Sequence, residues 1–387
     1  MTSKSFKSLL VAGFSLFALL VFNTSSAQKE NGGKKPEKLD PAKIIIEHVS
    51  DGHEFHFATV GGHHVTIPLP VILYSPSRGL SVFMSSAFEH GEREYNGFRL
   101  LEDKFLEEHN LDSAKNAKGQ PLYKTGKIYA VDQNGMPDLN VKVYDFSITR
   151  NVTQTLISVI LLIWIMTTVA KMYTKGKGTV SAPTGFQNAV EPVITFIRDE
   201  VGKPNLGSKY ERYMPFLLTV FFFILINNLI GLIPGSANVT GNIAFTGFLG
   251  IISFIVILSS TNKHFWSHIF NPPVPLGVKP IMIPVEILGI FTKPFALIIR
   301  LFANMISGHI IILSFICLIF IFGAMNTGLG WGTSPFFVLL AVFIYLIEVL
   351  VAFIQAYIFA NLTAVFIGMS MEGAHHDEGH HDDAGLV

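Results

Sequence analysis

The sequence has little charge and almost no cysteine. Of its 387 residues, 14% are Asp, Glu, Lys or Arg, against about 25% in typical soluble domains, which disfavours an ordinary soluble enzyme. Basic and acidic residues number 28 each, so the basic excess expected of a nucleic-acid-binding protein is missing. The single cysteine, Cys317, excludes an internal disulfide and a cysteine-based metal framework. The motif GxxxxGK[ST] is also absent, so there is no Walker-type loop for nucleotide hydrolysis.

The scarcity of charge is concentrated in the second half of the chain. Between Met214 and Met371 the charged residues are Lys263, Lys279, Glu286, Lys293, Arg300 and Glu348. Residues 28–150 are instead polar, mixed in charge and rich in histidine. The composition therefore predicts a water-facing N-terminal part followed by a lipid-embedded part.

The first 27 residues have the parts of a cleavable secretory signal. Lys4 and Lys7 precede an apolar run from Leu9 to Phe22, and small residues follow up to Ala27. The run is short for a membrane span of about 20 residues, although a first transmembrane helix is the alternative. A signal at 1–27 would place residue 28 onward outside the cytoplasm.

Residues 28–145 are predicted to form an extracytoplasmic module with a disordered start. The segment 28–42 has the Lys, Glu, Gly and Pro composition of a linker. Alternating segments on either side of Gly61 and Gly62 predict a β-hairpin. Further short strands are expected at 71–74, 127–131 and 141–146, so the module is predicted to be small and β-rich.

Two histidine-rich stretches raise the question of metal binding. His53, His56, His63 and His64 could meet across the hairpin as a metal site, but no carboxylate or cysteine completes a ligand set. Exposed polar residues on a sheet edge are the favoured interpretation. The tail at 372–387 is rich in His and Asp and is interpreted as a solvated cytoplasmic end. We therefore predict neither a metal site nor a cofactor.

Residues 146–371 are predicted to form an all-α polytopic membrane domain. The five predicted transmembrane segments are 152–170, 215–234, 242–260, 281–322 and 335–370. Lys171, Lys175 and Lys177 place the end of the first span in the cytoplasm by the positive-inside rule. Apolar residues at helical spacing between Gly185 and Val201 predict an amphipathic helix on the cytoplasmic surface.

The last two apolar segments are longer than a simple span. Residues 295–322 would make a helix of about 42 Å, against a hydrocarbon core of about 30 Å. We therefore expect two long, steeply tilted helices packed as a hairpin. The predicted connection between them is 326–334.

Arg300 is the most informative residue in the apolar half. It lies well inside its apolar run, and a charge at mid-membrane costs at least about 2.5 kcal/mol, so it normally faces water or a partner and carries function. Arginine stays protonated at biological pH. It is therefore suited to act as a fixed electrostatic gate or counter-ion and not as a proton carrier.

Other polar residues share helix faces with this arginine or lie on the next helix. Glu286, Lys293 and Arg300 are spaced seven apart, and Asn304 is one turn further on. His309 lies on the other side of the helix, while Glu348 and Gln355 line one stripe of the final helix. Histidine and a buried glutamate can relay protons, but a buried polar network that only fixes helix packing is the alternative.

A further polar cluster lies near the outer ends of the second and third spans. Asn228, Asn238 and Asn242 belong to it. These side chains could floor a water-filled inlet. Turn and helix-capping roles are equally open from the sequence.

The block from Lys293 to His309, KPFALIIRLFANMISGH, resembles subunit a of F-type ATP synthases, as do Glu348 and Gln355 seven apart on a following helix. Asn228 to Pro234 and Asn238 to Asn242 are similar to the family's second and third spans. Some family members carry the acid and the imidazole exchanged between the positions of His309 and Glu348. The resemblance covers residues 146–371 and implies nothing for the module.

The resemblance implies a non-catalytic stator subunit with two half-channels. Arg300 would face the carboxylate of a rotating c-subunit ring and block a direct proton leak. Asn304, His309, Glu348 and Gln355 would line the external path, and Glu286 the cytoplasmic exit. The expected partners are the c-ring, the b-subunit stalk, the other ATP synthase subunits and the lipid of the cell inner membrane.

A stand-alone ion-coupled secondary transporter is the alternative function. Such transporters are often built from internal repeats with broken helices, and the sequence shows neither. Protons are favoured over Na⁺ because His309 and Glu348 offer relay chemistry, but the ring partner would supply the ion-binding carboxylate.

Overall fold

A computed structural model describes the chain over residues 50–60, 63–111, 113–115, 119, 121–176, 178, 182–183, 185–233, 235–272, 274–275 and 277–371, together with residues 41, 45 and 46. The side chains of 56–60, 63–65, 264 and 268 are not among the described parts. The predicted signal, most of the linker and the C-terminal tail lie outside this description. Two compact units are present, one built from 50–153 with 233–237 and the other mainly from 154–232 and the residues after 237.

The first unit is a small β-rich module, as predicted. Its strands are β1 Glu54–Val60, β2 His63–Pro68, β3 Pro70–Ser75, β4 Gly79–Met84, β5 Phe98–Leu100, β6 Ile128–Ala130 and β7 Tyr144–Asp145, with a short helix, α1, at Asp103–Glu108. β1 pairs with β2, β5 with β6, and β3 lies between β4 and β7, all antiparallel. The hairpin predicted around Gly61 and Gly62 is confirmed by the β1–β2 pairing.

Alternation along β3 explains the core of the module. Val71 and Leu73 point inward and are fully buried against Phe88 and Phe98. Because strand side chains alternate between the two faces of a sheet, the residues between them point to the opposite face. That opposite face is also apolar.

The second unit is helical and apolar, which confirms a polytopic membrane fold. Its helices are α2 Arg150–Thr174, α3 Phe186–Phe196, α4 Lys203–Leu206, α5 Tyr210–Gly231, α6 Ile243–Ser259, α7 Lys263–Phe270, α8 Lys279–Met325 and α9 Thr327–Met371. In the described part of the chain, four helical segments are long and apolar enough to cross a membrane: 150–174, 186–231, 279–325 and 327–371. The apolar helix α6 is shorter. α7 is a helix that the sequence pattern did not predict.

The predicted amphipathic helix is present and continues further than expected. α3 is followed by a π-helical turn at Ile197–Gly202, by α4 and by a 3-10 turn at Gly207–Lys209 that leads into α5. Ile197 and Val201 are fully buried in the core of this unit. The apolar stripe seen in the sequence therefore packs against protein.

α8 and α9 pack along each other as the predicted hairpin, but the predicted connection at 326–334 is wrong. Asn326 alone is non-helical. Its backbone N–H bonds to the Phe322 carbonyl, and its side-chain oxygen accepts from the Gly328 N–H at 2.8 Å. One asparagine thus satisfies the end of one helix and the start of the next. Gly330 also lies too close to Gly323 for a side chain to fit, which explains why a glycine stands at this position of the helix.

Candidate functional site

The site is built on the inner faces of α8 and α9. Leu297, Leu301, Met305 and Gly308 recur at helical spacing on α8 and are buried in the described structure. Small residues such as Ala352 and Ala356 on α9 are fully buried as well. Small residues let membrane helices approach closely, so the polar groups beside them are held in defined positions.

Arg300 lies on the outer side of this packing. It is one residue, or about 100° of helix rotation, from the fully buried Leu301. Its side chain is exposed, and none of the hydrogen bonds or ion pairs found among the described residues involves it. Among the described residues, no carboxylate therefore serves as a counter-charge for this guanidinium.

The other charges of the predicted stripe are in different surroundings. Lys293 is half-buried, and its Nζ lies 5.2 Å from the centre of the Phe366 ring, a cation–π contact with α9. Glu286 is half-buried near the start of α8. Seven-residue spacing thus places the three charges along one helix without pairing Arg300 to either of them.

His309 and Glu348 meet across the hairpin. His309 Nδ1 lies 3.4 Å from Glu348 Oε1, and the two side chains are 15% and 7% exposed. This distance is within ion-pair range but long for a hydrogen bond. Neither carboxylate oxygen of Glu348 has a hydrogen-bond donor within the described residues. The acid and the imidazole are therefore adjacent, and the carboxylate accepts no hydrogen bond from the described residues.

Two backbone carbonyls also face the His309 ring. Nε2 lies 3.0 Å from the Gly231 carbonyl oxygen and Nδ1 lies 3.2 Å from that of Met305. A neutral imidazole carries only one N–H, so both carbonyls can accept at once only from the protonated ring. The site is thus arranged to accommodate an imidazolium between α5 and α9.

Gly308 makes room for the carboxylate of Glu348. A methyl group added at Gly308 would overlap the carboxylate oxygen and approach Glu348 Cγ to 2.7 Å. Glu348 is 5% exposed, so its side chain has little space into which to move. We did not single out Gly308 from the sequence; a lone glycine directly before His309 in an otherwise apolar helix is the signal that could have indicated it.

Asn304 and Gln355 form a direct link one turn nearer to Arg300. Asn304 Nδ2 donates to Gln355 Oε1 at 2.7 Å. Gln355 is 1% exposed, and its Nε2 is buried without a hydrogen-bond acceptor in the described structure. The structure therefore brings Asn304 and Gln355 together, and separately His309 and Glu348, on the same pair of helices.

The three asparagines of the predicted inlet have local structural roles. Asn238 accepts from the Gly241 N–H and donates to the Met305 carbonyl at 3.1 Å, and Asn242 caps α6 through the Ala244 N–H. Asn228 is fully buried and donates to the Ala352 carbonyl at 3.3 Å. Asn238 and Asn242 thus cap helical turns, and a place beside a water-filled inlet stays a prediction for all three.

Unsatisfied polar atoms are nevertheless buried in the same unit. The Asn228 side-chain oxygen and the hydroxyls of Thr240 and Ser253 are buried without a partner among the described residues. Buried polar groups of this kind are commonly satisfied by water. A water path past these helices would explain them.

The histidines considered as metal ligands are not gathered into a site in the part of the structure that is described. No group of three or more His, Cys, Asp or Glu residues lies together within the described residues. His53 instead bonds through Nε2 to Asp145 at 2.9 Å. The side chains of His56, His63 and His64, and the histidines of the tail, lie outside the described parts.

A family model described as ATP synthase A chain matches residues 152–368. The match covers more than half of the chain and contains Arg300, His309 and Glu348. The chain belongs to this ATP synthase A chain family. A second family model, described as a domain of unknown function, matches residues 44–146, which delimits the module independently.

Several relatives carry the name ATP synthase subunit a. A protein of Chloroherpeton thalassium is 47% identical over 249 residues, which cover 63% of this chain and 72% of the relative. One from Chlorobium phaeobacteroides is 39% identical over 301 residues, covering 76% of this chain and 81% of the relative. One from Myxococcus xanthus is 40% identical over 259 residues, with 64% and 80% covered. This confirms the resemblance given by the Lys293–His309 block.

Membership of the ATP synthase A chain family favours the rotary machine over the solitary transporter. The match also extends over all the helices that carry the polar residues described above. It does not include the module, whose strands end at Asp145. The helical unit with the site and the module thus match two different family models.

Proposed function

We propose that this chain is the proton-translocating stator subunit of an F-type ATP synthase membrane sector. In this function, two offset half-channels lead to a c-subunit ring, and Arg300 separates them. The chain itself is non-catalytic; ATP is made elsewhere in the complex. The observation that carries the proposal is an exposed Arg300 with no partner in the described structure, on an apolar helix of a protein in the ATP synthase A chain family.

The electrostatic argument for a partner outside the chain is direct. An arginine at mid-membrane is costly unless it faces water or an opposite charge. Arg300 is exposed and has no ion-pair partner among the described residues, so a counter-charge from another subunit is the simplest source. A ring carboxylate would supply that charge, and the fixed guanidinium would favour its deprotonated form.

His309 and Glu348 provide the relay on one side of the arginine. The two groups are 3.4 Å apart and almost completely buried, so a proton can pass between them without crossing open lipid. Asn304 and Gln355, bonded at 2.7 Å, lie one helical turn closer to Arg300. Water held by Asn228, Thr240 and Ser253 would connect this relay to the outside, and Glu286 would belong to the cytoplasmic exit.

The proposed setting is the cell inner membrane. The chain would cross it five times, with α8 and α9 steeply tilted, the N-terminal module extracytoplasmic and the C-terminus cytoplasmic. Support comes from Lys171 and Lys175 at the end of α2 and from the lengths of α8 and α9, 47 and 45 residues. A b-subunit stalk and the remaining ATP synthase subunits would be the other partners.

Replacing Arg300 tests the proposal. Arg300→Ala should abolish ATP-driven proton pumping in membrane vesicles while the complex still assembles, because the side chain has no hydrogen bond or ion pair among the described residues. Arg212→Ala, which removes another exposed arginine of the same unit, is the matched control and should pump normally. Normal pumping by Arg300→Ala would overturn the gate assignment. Pumping assays with and without Na⁺ identify the ion.

A further inference from the structure

The three-stranded sheet of the module has a bare apolar face. Side chains that alternate away from the core are Pro70, Ile72 and Tyr74 on β3, Leu80, Val82 and Met84 on β4, and Tyr144 with Phe146 on and just after β7. The strand register places them on one face, since Ile72 pairs with Val82 and Tyr74 pairs with both Leu80 and Tyr144. We call this set the outer sheet face.

The outer sheet face is strongly exposed and carries no charge. Leu80 and Phe146 are 66% exposed and Val82 is 62% exposed. The opposite face of the same strands carries Val71 and Leu73, which are completely buried. Sheets with one solvated face normally alternate apolar with polar residues. A contiguous apolar patch on a module of this kind indicates an interaction surface.

The outer sheet face is joined to the first long apolar helix by a short stretch of chain. The Phe146 N–H bonds to the Ile72 carbonyl at 2.9 Å, and the Ile148 N–H bonds to that of Pro70 at 3.1 Å. α2, a helix long and apolar enough to cross a membrane, begins at Arg150. Four residues reach at most about 14 Å, so the outer sheet face is tethered within that distance of the start of α2.

The start of α2 also forms hydrogen bonds with the segment just before β1. The Arg150 N–H bonds to the Gly52 carbonyl at 2.8 Å, and its guanidinium donates to the Ser50 carbonyl at 2.5 Å. The Asn151 N–H bonds to Asp51 at 3.1 Å. The first residues of α2 are therefore bonded to the segment that leads into β1, as well as being joined to β7 through the chain.

We propose that the outer sheet face docks onto the lipid interface of the membrane that α2 enters. Lipid is favoured as the occupant because the face lacks charge and because it is linked to a membrane helix by four residues. Tyr74 and Tyr144, whose rings are 6.3 Å apart, have the apolar body and polar tip that suit a membrane interface. The tether also gives lipid a high effective concentration at this face. This inference is independent of the proton path.

The test uses the full-length chain in its complex, reconstituted into phosphatidylcholine vesicles. Cys317 is buried and is replaced by Ala, and an environment-sensitive fluorophore is attached at Val82→Cys or, separately, at Leu80→Cys. Asn134→Cys, on an exposed turn of the same module, is the matched control. Lipids brominated on their acyl chains then report contact with the bilayer.

We expect brominated lipid to lower the fluorescence at positions 82 and 80 by about half and to leave position 134 unchanged, because interfacial apolar faces enter the bilayer by about 5–10 Å. Aqueous iodide should quench position 134 only. If positions 82 and 80 are quenched by iodide and not by brominated lipid, the proposal is wrong. If neither quencher reaches them, the face is covered by protein, such as residues 28–49 or another subunit, and the lipid proposal is again overturned.

Discussion

The His53–Asp145 pair of the module and the His309–Glu348 pair of the helical unit are bonded differently. In the β-rich module, His53 Nε2 lies 2.9 Å from Asp145 Oδ2, and the other Asp145 oxygen accepts the Ser147 N–H at 2.9 Å. In the helical unit, His309 Nδ1 lies 3.4 Å from Glu348 Oε1, and neither Glu348 oxygen has a donor among the described residues.

The difference agrees with a structural role for the first pair and with the relay role proposed for the second. Asp145 uses its acceptors inside the module, so the pair fixes the start of β1 to β7. Glu348 is more deeply buried than Asp145, with side-chain exposures of 7% and 34%. Even so, neither of its oxygens accepts a hydrogen bond from a described residue. A buried carboxylate without donors is costly, and such a cost is retained where the group has to gain and lose a proton.

The sharpest test of this comparison removes the acid from each pair. Glu348→Gln should lower ATP-driven proton pumping by about 100-fold, because a positioned proton-transfer group contributes at least that much. Asp145→Asn, the matched change in the module, should leave pumping near normal. Pumping and complex assembly are measured in membrane vesicles. Equal losses in both variants would remove the distinction between the two pairs.

The next test moves Glu348 without changing it. Gly308→Ala should lower pumping about tenfold, because the added methyl group pushes the carboxylate away from His309 and small displacements of a reacting group are costly. Gly289→Ala is the control on the same helix, since a side chain there meets nothing within 4 Å. If the two alanine variants pumped equally well, the position of Glu348 over Gly308 would not matter.

A smaller effect is expected from the link between Asn304 and Gln355. Asn304→Ala and Gln355→Ala, alone and combined, form a double-mutant cycle on the 2.7 Å hydrogen bond. We expect a coupling of about 1 kcal/mol in thermal unfolding of the purified complex, the usual net value of a hydrogen bond. Additive losses would mean that the bond contributes nothing to the geometry around the relay.

The sequence was sufficient for the long apolar helices and the first hairpin, and it indicated the polar residues that meet between α8 and α9. Apolar length and the positions of lysines predicted the membrane helices, and alternation around Gly61 and Gly62 predicted the β1–β2 hairpin. Spacing on one helix also grouped Glu286, Lys293 and Arg300, because helical geometry is local and needs no knowledge of the partner helix.

Contacts between different helices could not be predicted from spacing along the sequence. The approach of Gly308 to Glu348 depends on how α8 and α9 are placed side by side, which a periodic apolar pattern does not specify. The helical start of α9 was missed because glycines normally disfavour helix, whereas here Gly330 is required by the close approach to Gly323. The capping roles of Asn238 and Asn242 likewise depend on the turn that joins α5 to α6.

The smallest expected effect concerns the structural pair and its response to acid. Burial tends to raise the pKa of Asp145, but hydrogen bonds from His53 and Ser147 outweigh it and hold that pKa below the ordinary value of 3.8. A carboxyl group with a lowered pKa stabilises the fold above its ordinary value, and this stability is lost as the pH falls through the lowered value. We therefore expect that less urea is needed to remove amide protection from β3 in the full chain as the pH is lowered from about 5 to about 3. Asp145→Asn should make this urea concentration less dependent on pH. Glu108→Gln, which changes an exposed acid of the same module, should preserve the dependence. If Asp145→Asn shows the same pH dependence as the unchanged chain, the pair does not stabilise the module.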